Sequence, residues 1–173
     1  MNTCLVAAAL PLARIARRMG AAVYEALLLV AIVFVASFLL LPLVTPGHAG
    51  AVDQLAIPSL PARVALFFLL FTGVAWYCVW SWTSGRRTLP MKTWRLALVQ
   101  ADGNPLTRKA ALLRYLAAWI GPGLAVVAYV WLQRYGLGAH AAWLVALNFL
   151  WAFVDPERQF LHDRVAGTRL VVA

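Results

Sequence analysis

Four long hydrophobic segments dominate the pattern along the chain. They cover residues 19–41, 64–82, 115–133 and 135–154. Each holds about 19 to 23 residues, the number that an α-helix rising 1.5 Å per residue needs to cross about 30 Å of hydrocarbon. The pattern therefore predicts an all-α membrane protein with four transmembrane helices, folded as one domain over residues 1–173.

Composition supports a membrane protein and bears on the choice of partners. Hydrophobic residues make up 64% of the chain and charged residues only 12%, whereas about a quarter of the residues in a soluble domain are charged. The formal net charge of +9 would suggest nucleic-acid binding in a soluble protein. Since no aromatic or glycine-patterned nucleic-acid motif accompanies the basic residues, we predict no nucleic-acid partner.

The basic residues are distributed unevenly between the two sides of the predicted membrane. By the positive-inside rule, the richer side faces the cytoplasm, so we expect both termini to be cytoplasmic and anionic lipid to be a partner there. Thirteen of the fifteen lie on that side, namely Arg14, Arg17, Arg18, Arg86, Arg87, Lys92, Arg95, Arg108, Lys109, Arg114, Arg158, Arg164 and Arg169, and only Arg63 and Arg134 lie on the other.

Two short strands are predicted among the cytoplasmic parts, which comprise the loop 83–111 and the tail 155–173. Side chains alternate between the two faces from Thr93 to Gln100, and β-branched and apolar residues follow Gly167. Both patterns favour strands, so we predict a small cytoplasmic β-ribbon.

Two further signals concern the third hydrophobic segment and the loop after the first. Thr107 is a suitable cap for a helix that begins at Arg108 and runs into the third segment. Pro122, between two glycines, predicts a kink or break in that helix, because proline removes a backbone donor. The proline- and glycine-containing stretch 44–61 predicts an external loop.

Glu25 is the only acidic residue within the four hydrophobic segments. It lies about 9 Å along the first predicted helix, where an ionised carboxylate costs roughly 2 to 4 kcal/mol unless it is paired, hydrated or protonated. Arg18 is on the same helical face but too distant for a direct i,i+4 pair. Two interpretations remain open, a structural ion pair or neutral acid at a helix contact, and a proton- or cation-binding role.

The stretch DPERQFLHDR, residues 155–164, holds three of the six acidic residues of the chain. Asp155 and Pro156 should end the fourth hydrophobic helix. We expect Asp155 to cap a new helix with Pro156 at its first position and Glu157 in its first turn, ending at Gly167.

Asp163 is not explained by capping. It lies beside His162 and Arg164, at the cytoplasmic end of the fourth segment. We expect an interfacial salt bridge from Asp163 to a basic residue. The candidates are Arg17, Arg18 and Arg114.

Signatures of catalysis and of metal binding are lacking in the sequence. His48, His140 and His162 do not have the spacing of metal ligands. The serines lack a nucleophile motif, and there is no glycine-rich phosphate loop. We therefore expect no enzymatic activity, no catalytic residue, no metal and no cofactor.

Three stretches of the chain resemble the RDD family of bacterial membrane proteins. Residues 17–29 resemble the family's first helix entry, in which an acidic residue follows an arginine about two turns later. Residues 86–115 resemble its central loop, although Pro90 replaces the usual glycine. Residues 158–172, RQFLHDRVAGTRLVV, are similar to the characteristic ending and are the most specific part.

The family is named for an arginine and two aspartates. Arg17 or Arg18 fits the arginine, Glu25 occupies the first acidic position, and Asp163 or Asp155 fits the second. Glutamate in place of aspartate keeps the charge but lengthens the side chain. The resemblance implies a multi-pass protein of the bacterial inner membrane, with transport suspected and cation/proton exchange proposed for some members.

Two functional hypotheses follow from these expectations. The first is a transport-related protein that exchanges protons or cations, forming a homo-oligomer because four helices leave little room for a gated pathway. The alternative is a non-catalytic assembly or regulatory subunit that binds lipid or a membrane protein partner. The candidate functional cluster is Arg17, Arg18, Glu25, Asp155, His162 and Asp163, with Arg114 and Arg164 as partners.

Overall fold

A computed structural model describes residues 11–44 and 58–173 of the chain. Most of the predicted external loop 44–61, including His48, lies outside this part. The helices are α1 (Ile15–Val44), α2 (Leu60–Trp82), α3 (Leu89–Thr93), α4 (Arg108–Ala118), α5 (Ile120–Leu132), α6 (Leu147–Leu150) and α7 (Leu161–Val165), and the strands are β1 (Leu96–Gln100) and β2 (Thr168–Val172). Short 3₁₀ segments cover Gln133–Tyr135, Gly138–Ala146 and Trp151–Phe153.

Three helical spans in the described part are long and apolar enough to cross a membrane. Two are α1 and α2, and the third runs from Arg108 to Tyr135 through α4 and α5. The capping predicted for the third span is confirmed, because Thr107 Oγ1 accepts a hydrogen bond of 3.2 Å from the backbone N–H of Ala110. The mostly helical membrane fold predicted from the hydrophobic pattern is thus present.

The predicted break near Pro122 is also present, and its cause can be traced to one carbonyl group. Proline has no N–H, so the carbonyl of Ala118, four residues earlier, loses its helical donor. The chain separates α4 from α5 at Trp119. Asn148 compensates, because its Nδ2 donates to the Ala118 carbonyl at 2.6 Å.

The fourth hydrophobic segment, predicted as a regular helix over 135–154, differs from the prediction. Residues 138–153 form a shorter apolar helix, in which nine residues are 3₁₀-helical before α6 begins. Runs of 3₁₀ helix longer than three or four residues are uncommon. The segment packs closely on α5 at Gly121, where an added Cβ would lie 2.7 Å from the backbone oxygen of Leu144.

The predicted β-ribbon is confirmed as an antiparallel pair of β1 and β2. Its register runs from Leu96 opposite Val172 to Gln100 opposite Thr168. The first strand begins three residues later than predicted, because Thr93 ends α3 and Arg95 adopts a left-handed φ of 51°. Leu12 bridges Val171 on the other side of β2, so the chain just before α1 extends the ribbon.

The ribbon covers one end of the helices. Leu96, Leu98 and Leu170 are buried in one cluster with Trp82 and Tyr115. An isolated pair of strands is only marginally stable in water, so this packing is what sustains the ribbon. We call this end of the molecule, where α1 begins, α2 ends and α4 begins, the ribbon end.

The prediction of a helix starting at Pro156 is wrong. Asp155 does cap the backbone, but it caps a turn, with Oδ2 accepting 3.0 Å hydrogen bonds from the N–H groups of Glu157 and Gln159. Arg158 then adopts a left-handed φ of 53°, which is incompatible with a continuing right-handed helix. The helix α7 begins only at Leu161, and Gly167 follows its end as predicted, with a φ of 61°.

Candidate functional site

A cavity of about 280 Å³ lies at the ribbon end, between α1, α2, α4 and α7. Most of its lining is apolar, with several aromatic rings. Its ionisable lining residues include Arg18 and Glu25 from α1, Arg114 from α4 and His162 from α7. The fold therefore brings together four residues of the predicted cluster and its partners, which are separated by up to 144 positions in the sequence.

Arg114 and Asp163 form a buried ion pair. Their residues are 5% and 0% exposed, and Nη1 of Arg114 contacts Oδ1 of Asp163. Thr168 completes the contact, because its hydroxyl lies 3.1 Å from Arg114 Nη1 and 3.2 Å from Asp163 Oδ1. The Trp82 ring packs against the guanidinium group of Arg114, with 5.0 Å between the ring centroid and the guanidinium carbon. Of the three arginines predicted as partners of Asp163, the one in contact is Arg114.

Arg18 lines the cavity and is 3% exposed. Its Nη2 donates to the backbone carbonyl of Arg158, and its guanidinium lies over the Phe160 ring at 5.1 Å. Among the described residues, Nε and Nη1 of Arg18 have no acceptor. Arg17 is exposed and does not line the cavity, so the two adjacent arginines have different environments.

Glu25 lines the cavity about two turns of α1 beyond Arg18. Its electrostatic partner is Arg114 rather than Arg18. The side chains of Thr88 and Trp82 lie beside the carboxyl group. Oε1 of Glu25 is nevertheless shielded from solvent and accepts no hydrogen bond from the described residues. The carboxyl group is therefore enclosed but incompletely satisfied.

Asp155 and Arg164 belong to a network outside the cavity lining, and the carboxylate of Asp155 also interacts electrostatically with Arg18. Arg164 Nε lies 3.6 Å from Asp155 Oδ1, and its Nη1 lies 3.1 Å from Glu157 Oε2. Asp155 itself is 6% exposed and holds the turn described above. Both residues stabilise the turn that starts at Asp155, and neither lines the cavity.

His162 is buried between aromatic rings, with Phe160 and Phe149 at centroid distances of 5.7 and 6.3 Å. Burial, reinforced by the positive charges of Arg114 and Arg18, lowers the pKa of His162 well below its usual value of 6.5. Its Nε2 lies 3.9 Å from Asp163 Oδ1, beyond hydrogen-bonding distance. The imidazole is therefore neutral near pH 7.

The lowered pKa of His162 predicts that the protein loses stability on acidification. The unfolded chain takes up a proton at this site near pH 6.5, whereas the folded protein does so only at lower pH. The free energy of unfolding should therefore fall by up to about 1.4 kcal/mol per pH unit as the pH drops below about 6.5. Unfolding in detergent between about pH 7.5 and about pH 5.5 tests this.

A matched pair of variants isolates the contribution of His162. His162→Phe should remove part of the pH dependence, whereas His140→Phe, at an exposed position, should retain all of it. If wild type and His162→Phe lose stability in parallel on acidification, another group is responsible for the effect.

Several residues of the site do not stand out in the sequence. Thr168 links Arg114 to Asp163, and Trp82 and Phe160 support the two guanidinium groups. Thr168 has a sequence signal, since it belongs to the RDD-like ending. The roles of Trp82 and Phe160 depend on tertiary contacts that no local pattern specifies.

Histidine, cysteine and acidic side chains do not form a metal-binding group within residues 11–44 and 58–173. His140 is exposed, with its Nδ1 3.2 Å from the backbone oxygen of Leu137. It lies in the segment that follows α5, away from the cavity lining.

The chain matches the model of a known protein family. The model of the RDD family matches residues 12–167, a range that includes Arg18, Glu25, Arg114, His162 and Asp163. Neither the curated proteins nor the solved structures include a significant match. Because the family model covers most of the chain, the protein belongs to the RDD family.

Proposed function

We propose that this RDD-family protein exchanges protons or cations across the membrane, with Glu25 as the group that binds and releases them. The observation that carries the proposal is the state of the Glu25 carboxyl group. It lies on one of the long apolar helical spans and lines a cavity. Its enclosed Oε1 makes no hydrogen bond within the described residues, although the side chains of Thr88 and Trp82 lie beside the carboxyl group. A carboxyl group so placed needs a proton, water or a cation.

The two acids of the site have different roles in this proposal. Asp163 is engaged by both Arg114 and Thr168 through Oδ1, so its charge is offset by a fixed partner, although its Oδ2 makes no hydrogen bond within the described residues. Without Asp163, the charge of Arg114 would act at full strength on a cation approaching Glu25, since charges interact strongly where water is excluded. Asp163 thus permits cation binding, and Glu25 performs it.

A flux assay in liposomes tests the role of Glu25. A cation gradient should drive proton movement through the purified wild-type protein, read by an internal pH dye. Glu25→Gln should lower this flux to the rate of empty liposomes, because the amide cannot exchange a proton. Glu157→Gln is the matched control, since this half-exposed glutamate lies outside the cavity and its variant should keep the flux.

Two outcomes would overturn the proposal. Flux in Glu25→Gln equal to that of wild type would remove Glu25 from the pathway. Absence of cation-driven proton flux in wild type, for every monovalent and divalent cation tested, would exclude exchange as the function and favour the alternative of a non-catalytic assembly subunit.

We also propose that the chain crosses the inner membrane four times, with both termini in the cytoplasm. The support is the contact of Leu12 with Val171, which holds the residues before α1 and after α7 at the same end. An even number of crossings is then required. The three long spans would give three crossings, which is an odd number. Residues 138–153 would then form the fourth crossing, back to the cytoplasmic side.

The conformation of residues 138–153 suits a crossing. A 3₁₀ helix rises about 2.0 Å per residue rather than 1.5 Å. With twelve of its residues in 3₁₀ conformation, the segment reaches roughly 30 Å, the thickness of the hydrocarbon layer. The larger rise per residue of the 3₁₀ helix thus compensates for the small number of residues in the segment.

Labelling of single cysteines tests the proposed topology. In a background with Cys4→Ser and Cys78→Ser, Arg134→Cys should react with a membrane-impermeant maleimide on intact spheroplasts. Arg87→Cys should react only after permeabilisation, because the arginine-rich ribbon end is assigned to the cytoplasm. Both positions are exposed in the fold. Equal labelling of the two variants on intact spheroplasts would contradict the assignment.

A further inference from the structure

The cavity at the ribbon end adjoins a second cavity within the helical spans. The second cavity has a volume of about 560 Å³ and lies between α1, α2 and α4. Leu29, Val74, Tyr115 and Trp119 line both cavities. Apart from Ser37 and the polar edges of Tyr115 and Trp119, the lining of the second cavity is apolar. A charged recess therefore lies next to an apolar groove and shares part of its wall.

The charged recess has hydrogen-bond donors without acceptors. Nε and Nη1 of Arg18 and Nε of Arg114 are enclosed and make no hydrogen bond within the described residues. Both residues are at least nine-tenths buried and line the recess. Guanidinium groups bind phosphate oxygens through several parallel hydrogen bonds. Asp163 is in ion-pair contact with Arg114, whereas Arg18 has an electrostatic interaction with Asp155 but no ion-pair contact within the described residues.

The order of these groups along α1 matches the order of the polar and apolar parts of an amphiphilic ligand. Arg18 comes first, Glu25 follows, and then Leu29 and Val33 continue along the groove. Over these fifteen positions the helix rises about 22 Å. Phosphate, an oxygen-bearing linker and a hydrocarbon chain follow each other in the same order in a glycerophospholipid.

We propose that the two cavities form one binding site for a glycerophospholipid of the surrounding membrane. The phosphate binds Arg18, the glycerol linker passes Glu25, whose carboxyl group donates to an ester oxygen when it is protonated, and one acyl chain fills the groove past Val33 and Phe34. A free phosphate would satisfy Arg18 but leave the groove unfilled. The site does not depend on the proposed ion exchange, and its test needs no ion gradient.

Native mass spectrometry with phosphatidylglycerol tests the phosphate contact. The purified protein in detergent is titrated with this lipid, and the bound fraction is measured. Arg18→Gln should weaken binding about tenfold, as expected for loss of a charge-assisted contact. Arg17→Gln is the matched control, because Arg17 is exposed and outside the recess, and it should bind as wild type does.

A second pair of variants tests whether an acyl chain occupies the groove. Both variants leave the buried charges of the recess unchanged. Val33→Trp should fill the groove and abolish retention of the lipid. Val35→Trp should not, because Val35 is 55% exposed and does not line either cavity. Thermal unfolding in detergent confirms that each variant is folded before it is titrated.

The outcomes distinguish a lipid site from a site for phosphate alone. Loss of binding in Arg18→Gln and Val33→Trp, with both controls unaffected, supports the lipid site. Equal binding by Val33→Trp and wild type would overturn it. Displacement of the lipid by inorganic phosphate at equal concentration would also overturn it, since a phosphate site alone would then account for the binding. Failure of this test leaves the Glu25 flux result unchanged.

Discussion

Replacement of Asp163 by alanine is expected to lower the free energy of unfolding by about 3–5 kcal/mol, the range for breaking a buried ion pair by removing one partner. Arg114 would remain 5% exposed with no opposite charge in contact. Its Nε already lacks an acceptor among the described residues. Thr168 would keep its contact with Arg114, but a hydroxyl cannot neutralise a guanidinium.

Unfolding by denaturant in detergent, followed by circular dichroism, measures this loss. Asp102→Ala is the matched control, because Asp102 is exposed and its carboxylate contacts only Asn104 among the described residues. We expect a much smaller loss there. The double variant Asp163→Ala, Arg114→Leu removes both charges and should recover part of the stability, since Glu25 then lacks the positive charge of Arg114.

Two results would contradict the stabilising role of the ion pair. One is an Asp163→Ala protein as stable as Asp102→Ala. The other is a double variant no more stable than Asp163→Ala alone, which would show that the unpaired guanidinium is not the source of the loss.

The spans and the ribbon could be predicted because their signals are local. A long apolar run, interrupted in α1 only by Glu25, specifies α1 and α2, and alternation specifies β1. The break near Pro122 was predictable because a missing N–H is a property of the residue itself. The largely 3₁₀ conformation of residues 138–153 could not be predicted, because the composition of this segment is that of any apolar helix. Its packing against Gly121 and the contact of Asn148 with α4 are tertiary contacts that the local sequence does not specify.

The choice between Arg17 and Arg18 illustrates what the sequence leaves open at the site. Consecutive residues of an α-helix point about 100° apart, so only one of the two can face the cavity. Which one does so depends on the rotation of α1 against α2 and α7, which the composition of α1 does not determine. The same limit applies to Arg114 and Asp163, which come from distant parts of the chain.

The turn at residues 155–160 shows tertiary contacts overriding local preference. Asp155, Pro156 and Glu157 form a favourable helix start. The chain nevertheless turns at Arg158, whose carbonyl accepts a hydrogen bond from Arg18. A helix through Arg158 would use that carbonyl internally, so the buried guanidinium would lose its acceptor. Satisfying Arg18 thus accounts for the departure from the predicted helix.

Replacement of Asn148 by leucine is expected to lower the free energy of unfolding by about 1–3 kcal/mol, the penalty of leaving a buried polar group unpaired. Asn148 is 3% exposed, and its Nδ2 is the donor for the Ala118 carbonyl. The expected loss exists only because Pro122 cannot supply the helical N–H. It should therefore shrink to less than half in a Pro122→Ala background, where the new backbone N–H can reach Ala118.

A double-mutant cycle measured by denaturant unfolding in detergent tests this dependence. The coupling between Asn148→Leu and Pro122→Ala should be about 1 kcal/mol, within the range for residues that share a hydrogen-bonding partner. Gln133→Leu serves as control, since Gln133 is exposed and its change should show no coupling to Pro122→Ala. An equal loss from Asn148→Leu in both backgrounds would mean that Asn148 stabilises the packing of residues 138–153 on α5 without replacing the missing donor.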